Sequence, residues 1–245
     1  MRPPPPAAFG RLKAHPPYAA PGQAIGLLGG SFNPPHVAHR MISEVALKRL
    51  GLDKVWWIVS PGNPLKKRAD TAPLAERLVL CRGVAKNPHI VITDFEADLK
   101  TPYTASTLAF LKARTPLVRY VWIMGADNLA TFDRWQRWRE IFTTVPIVVV
   151  DRPGWRMKAL ASKAARAFAG SRIPESEAGG LATRPAPAWT FLTGPLSHVS
   201  STALRSKARR RGDAVAKKSQ AMGELPWKKP AAEPETSEGE PTLGS

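Results

Sequence analysis

The sequence predicts an α/β fold, a doubly wound parallel sheet in a single domain. Three observations predict it. Short apolar runs alternate with longer helical patterns along the chain, and no internal repeat interrupts them. The runs are near-continuously apolar, which suits strands covered on both faces. With 245 residues, 43% hydrophobic and 22% charged, the chain can bury one sizeable core without dividing into several.

The elements follow in order. Pro3 to Pro6, Pro16, Pro17 and Pro21 crowd residues 1–22, with little hydrophobic pattern between them, so a mobile arm is expected there. Strands are expected at Ala24 to Leu28, Val55 to Ser60, Ile90 to Asp94, Tyr120 to Met124, Pro146 to Val150 and Trp189 to Leu192. Helical patterns fill 36–50, 74–86, 104–114, 127–141, 155–169 and 200–211. Gly, Ala, Pro and Ser make 170–187 a long loop. From 212 onward Lys217, Lys218, Lys228 and Lys229 give way to Glu233, Glu235, Glu238 and Glu240 among Pro, Gly and Ser, a tail expected to be disordered. The ordered domain is then 23–211. In such a sheet, ligands bind at the carboxyl ends of the strands.

Charge and cysteine usage bound the function. Against 19 acidic residues stand 36 Lys and Arg, a formal +17, so anionic partners are expected. Much of the excess lies toward the tail, so the charge says less about the core, and nucleic acid is the lesser expectation. The single cysteine, Cys81, excludes an intrachain disulfide framework and a zinc site built on several thiolates, and a reducing cytoplasm is the expected compartment. Apolar runs such as Val145 to Val150 fall short of the ~20 residues a membrane-spanning helix needs, and the Pro-rich start lacks a signal peptide's apolar stretch. No membrane association is expected.

The segment Gly29-Gly30-Ser31-Phe32-Asn33-Pro34-Pro35-His36-Val37-Ala38-His39 follows the first strand directly. Two glycines permit unusual backbone conformations and close ligand approach. Pro34 or Pro35 is expected to open the helix, whose amino terminus offers free N–H groups and a positive dipole end to a phosphate. His36 and His39, three apart, share a face, where each can donate to a phosphate oxygen, with added charge if protonated. A zinc reading of this pair lacks a third ligand. There is no G-x-x-x-x-G-K-S/T loop, and Gly26, Gly29 and Gly30 do not fit G-x-G-x-x-G, so neither a P-loop NTPase nor a dinucleotide-binding dehydrogenase is supported.

Gly29 to His39 resembles the GGxFDPxHxGH signature of the nucleotidylyltransferase superfamily, whose sheet is Rossmann-like. Later segments narrow the likeness to nicotinate-nucleotide adenylyltransferases: Pro61-Gly62-Asn63-Pro64-Leu65-Lys66 after the second strand, Tyr103-Thr104-Ala105-Ser106-Thr107-Leu108 like YTxxTL, and Met124-Gly125-Ala126-Asp127-Asn128-Leu129 with Phe132, Trp135 and Trp138 like MGxDxL…F…W. Arg152-Pro153-Gly154 and Val199 to Arg205 complete an ordered series spanning about 25–205.

The resemblance implies adenylyl transfer from ATP to nicotinate mononucleotide in NAD biosynthesis. The attacking phosphate is already an anion, which accounts for the absence of a Ser-His-Asp or Cys-His signature. It assigns His36, His39 and Arg205 to catalysis. Gly29, Gly30, Ser31, Phe32 and Asp127 go to ATP with the histidines, joined by Ser200, Ser201 and Thr202, which present hydroxyl and backbone donors from a helix cap, and by Arg205. Lys66, Tyr103, Thr104, Trp135 and Arg152 go to the mononucleotide, and Mg2+ arrives on the ATP phosphates. Alternatives stay open: helix capping for Asp127, loop charge for Lys66 and packing for Trp135, with Trp138 read as packing. Asn33 stands where many relatives have Asp, and Ala38 where Gly is commoner, which should slightly crowd the adenosine. A sister enzyme acting on pantetheine phosphate, or a nucleic-acid binder on an inactive core, are the competing functions. Oligomeric state is not legible.

Overall fold

A computed structural model describes residues 14–62, 71–99 and 103–194. Its strands are β1 (Ala24–Gly30), β2 (Lys54–Val59), β3 (Ile90–Thr93), β4 (Arg119–Gly125), β5 (Ile147–Val150) and β6 (Trp189–Leu192). They form one sheet in the order β3-β2-β1-β4-β5-β6, parallel throughout. That is the doubly wound order, and the direction in which successive strands are added reverses between β1 and β4, which opens a crevice at their carboxyl ends.

Alternate residues of the strands feed two cores, one on each face. Leu27, Trp56, Trp122, Val149 and Phe191 face one, where Leu108 and Leu111 of α3 (Thr104–Arg114) and Ile141 and Phe142 of α5 (Trp138–Thr144) cover them. Leu28, Trp57, Ile123, Val148 and Leu192 face the other, under Ala46 and Leu50 of α1 (Val37–Leu50) and Cys81 and Ala85 of α2 (Leu74–Ala85). Burial on both faces is why the strands read as unbroken apolar runs.

Four sequence expectations need correcting. The helix expected at 127–141 is α4 (Ala126–Leu129), a 3-10 turn at Phe132–Arg134, and α5. Trp135 is extended and Arg137 takes a left-handed φ of 56°, so the helix restarts after them. The helix expected at 155–169 is α6 (Arg156–Leu160) and α7 (Lys163–Ala167), because Ser162 turns extended and its Oγ accepts the Ala165 N–H at 3.2 Å, capping α7. The loop at 170–187 contains a 3-10 stretch, Glu175–Thr183, which buries Ala178 and Leu181 against the second core. Within the proline-rich arm, Ala14 and Ala19 lie in the first core and the Gly22 N–H donates to Leu117 O at 2.8 Å. Small residues between prolines pack there without an apolar run to announce them. The helix expected at 200–211 and the tail lie outside the described residues.

Cys81 is fully buried on α2, and burial pushes its thiol up to about 12. Reaction with a thiol reagent at pH 8 is therefore expected to be at least about a thousandfold slower than in the denatured chain. Equal rates, followed by reagent absorbance, would show that α2 does not pack as described.

Candidate active site

The first strand-to-helix turn sits at the crevice, and its glycines act differently from expectation. Both belong to β1, and neither takes a left-handed conformation. A Cβ on Gly29 would meet the Trp122 ring at 2.5 Å, so this glycine admits an indole from the neighbouring strand. The left-handed residue is Phe32, φ 43°, which for a bulky side chain costs roughly 1–3 kcal/mol. Its buried ring holds that conformation, stacked on Trp57 at 5.0 Å and tilted against His39 at 4.7 Å. Pro34 and Pro35 precede the helix rather than open it, since His36 is the N-cap of α1. Asn33 Oδ1 accepts the Ala72 N–H at 3.3 Å, a turn-tying role that needs no negative charge. Ala38 is buried.

The two imidazoles lie together, ring centroids 3.8 Å apart. The His36 N–H donates to His39 Nδ1 at 3.1 Å, which leaves the proton of neutral His39 on Nε2. From below, the Trp57 indole N–H donates to Ser43 Oγ and the Ser43 hydroxyl to His39 O, both at 2.8 Å. His36 is 7% exposed, with Nδ1 buried and unpartnered. Burial, and then the Arg152 charge, lowers its pKa from 6.5 to about 4, so it is neutral at pH 7.

This has a stability consequence. The unfolded chain protonates His36 as pH falls below 6.5, whereas the folded chain resists until about 4. The stabilisation is thus complete above 6.5 and lost on acidification toward 4, by up to about 3 kcal/mol. His36→Gln is expected to lose less stability than the wild type between pH 7.5 and 4.5 in denaturant titrations; parallel losses would contradict the buried neutral imidazole.

Across the crevice, Asp127 Oδ2 pairs with Arg152 Nη1 at 2.5 Å, joining the ends of β4 and β5. Asp127 makes no helix-capping bond; the N-cap of α4 is Gly125, whose added Cβ would meet Asp127 Oδ1 at 2.5 Å. That Oδ1 is buried with no hydrogen-bond partner. Asp151, missed by sequence reasoning, sets Arg152: its Oδ1 accepts the Arg152 N–H at 2.7 Å and its Oδ2 accepts Arg156 Nε at 2.8 Å. The only signal was a carboxylate directly before Arg-Pro-Gly, where Gly154 supplies the left-handed φ of 76°.

Tyr103 is the N-cap of α3 and Thr104 its first residue, both half-buried. Trp135 is half-buried too, edge-on to Trp122 at 6.4 Å and tilted on Phe132 at 5.1 Å, while Trp138 is buried in the core. Lys66, Ser200, Ser201, Thr202 and Arg205 lie outside the described residues. Arg77, also missed, is 1% exposed and bonds Ser31 O of the first turn at 2.7 Å and Ser60 O at the end of β2 at 2.8 Å.

A glycine that admits an indole at the end of β1, a paired imidazole at the amino end of α1 and a carboxylate–guanidinium pair meet at the switch point, where open α/β sheets bind their ligands. A family model described as cytidylyltransferase-like matches residues 27–207. The chain is 57% identical over 183 residues to a probable nicotinate-nucleotide adenylyltransferase of Rhizobium meliloti, covering 75% of this chain and 97% of that one. A protein of the same name from Mesorhizobium japonicum is 55% identical, covering 79% and 99%. The solved Plasmodium falciparum nicotinic acid mononucleotide adenylyltransferase complexed with NaAD shares the fold at TM-score 0.57 and 17% identity, over 75% of this chain and 83% of that one. The chain belongs to the cytidylyltransferase-like family, among its nicotinate-nucleotide adenylyltransferases.

Proposed function

We infer that this chain transfers the adenylyl group of ATP to nicotinate mononucleotide, releasing pyrophosphate and nicotinate adenine dinucleotide, a step in NAD biosynthesis. The observation that carries the reading is the imidazole pair at the amino end of α1, beside the switch point of the sheet, in a chain 57% identical to a relative bearing that name.

A phosphate oxygen of the mononucleotide attacks the α-phosphorus of ATP, and the bond to the pyrophosphate oxygen breaks. The nucleophile needs no deprotonation at neutral pH, so catalysis rests on alignment and on donors aimed at phosphate oxygens. His39 offers its Nε2–H and a neutral His36 offers a ring N–H. The unpartnered Asp127 Oδ1 is an acceptor suited to a ribose hydroxyl. Tyr103, Thr104 and Trp135 are proposed for the pyridine ring and its carboxylate, and Arg152 for the mononucleotide. Lys66, Ser200, Ser201, Thr202 and Arg205 keep their proposed phosphate roles, with Gly29, Gly30, Ser31 and Phe32 forming the wall of the turn.

Magnesium enters this reading on the ATP phosphates; among the described residues no group of three or more His, Cys, Asp or Glu could hold a metal ion. Among those residues no helix is long and apolar enough to cross a membrane, and the cytoplasm is the proposed compartment. The test mixes protein, ATP, Mg2+ and either nicotinate or nicotinamide mononucleotide, then measures pyrophosphate and dinucleotide. Faster turnover with the nicotinate form is expected; no turnover with either removes the reading.

A further inference from the structure

Arg77 lies on α2 with its guanidinium buried, and no carboxylate among the described residues pairs with it. Its donors go instead to backbone carbonyls of three segments that converge on the first turn. Nη1 donates to Ser31 O at 2.7 Å and Ser60 O at 2.8 Å, Nε to Ala72 O at 2.9 Å, and Nη2 reaches Pro61 O at 3.5 Å. Ala72 is held from its other side by Asn33 of the same turn. The two described ends of the β2–α2 connection are thereby tied to the turn that carries His36.

The turn needs such a tie. Phe32 sits in a left-handed conformation that its side chain disfavours, and such conformations persist only where the surroundings fix them. Arg77 fixes the peptide just before it. Because carbonyl and N–H point oppositely in a trans peptide, aiming the Ser31 carbonyl at the guanidinium turns the Phe32 N–H away from it. Only arginine carries enough donors in a planar fork to span these carbonyls; a lysine ammonium has three donors on one nitrogen.

We propose that Arg77 is a positioning residue for adenylyl transfer: it clamps the Ser31–His36 turn in the conformation that receives the triphosphate and brings a permanent cation to the backbone of that turn. The inference rests on the reading of this turn as the nucleotide site.

The test compares Arg77→Ala and Arg77→Lys with the wild type for kcat and KM, folding by circular dichroism and Tm, and MgATP binding by calorimetry. Folded Arg77→Ala is expected to lose about 100-fold in kcat/KM for MgATP, the scale of a small misalignment. Ethylguanidinium is expected to restore at least about tenfold of that, and ethylammonium much less. Arg77→Lys, keeping the charge without the fork, is expected to fold and lose about tenfold. Near-wild-type kcat/KM in either folded variant overturns the proposal, as does a loss that ethylguanidinium does not relieve. Failure of both variants to fold also overturns it, leaving Arg77 a stability residue alone. If the wild type itself shows no turnover, the transfer reading falls and MgATP binding decides this one: weaker binding in the variants upholds the clamp, and equal binding ends it.

Discussion

Replacing His39 by alanine is expected to lower kcat by about two to three orders of magnitude while the chain still folds. The His39 ring is half-buried at the mouth of the first turn, against His36, Phe32 and Trp57. Alanine removes both the Nε2 donor and the acceptor for the His36 N–H, a capping loss of about 1 kcal/mol that a domain of this size tolerates. His39→Gln separates the two effects. Its amide can accept from the N-cap as glutamine does in a capping box, so Tm should recover, whereas kcat should stay low because the amide cannot place a ring N–H at the phosphate. Steady-state kinetics beside thermal melts check this; near-normal turnover in His39→Ala would remove the histidine from the mechanism.

Gly29→Val is expected to damage folding and function together. Its new Cβ would lie 2.5 Å from the Trp122 ring, and that ring is buried edge-on against Trp135, so neither can step aside freely. Overpacking of this kind costs about 1–3 kcal/mol, which lowers Tm by roughly 2–4 °C for each kcal/mol. Because Gly29 walls the turn proposed for ATP and Trp122 packs against Trp135, proposed for the pyridine ring, KM for both substrates should rise. A variant with wild-type Tm and both KM values unchanged would show that β1 and β4 do not pack as closely as described.

How much of this was legible in the sequence varied with the kind of information required. Strands buried on both faces write themselves as apolar runs, so all six fell within a residue or two of their expected positions. The helices broken at Arg137 and Ser162 were not legible, because Phe132, Trp135 and Trp138 mimic a helical spacing while entering the core from three different local structures. The segment from Gly29 to His39 stood out in the sequence, yet the reason for Gly29 lay in Trp122, a residue 93 positions away. The Asp127–Arg152 pair and the four carbonyls around Arg77 join segments far apart in sequence, and backbone carbonyls leave no trace in residue identity.

The docking of Ala14 and Ala19 sets a limit on trimming the protein. Cutting the chain at residue 23, where the prolines end, would leave two holes in the first core and free the Leu117 carbonyl from the Gly22 N–H. Affinity tags and crystallisation truncations therefore belong ahead of Ala14, and a shortened form that starts later would trade surface entropy for a leaking hydrophobic seam.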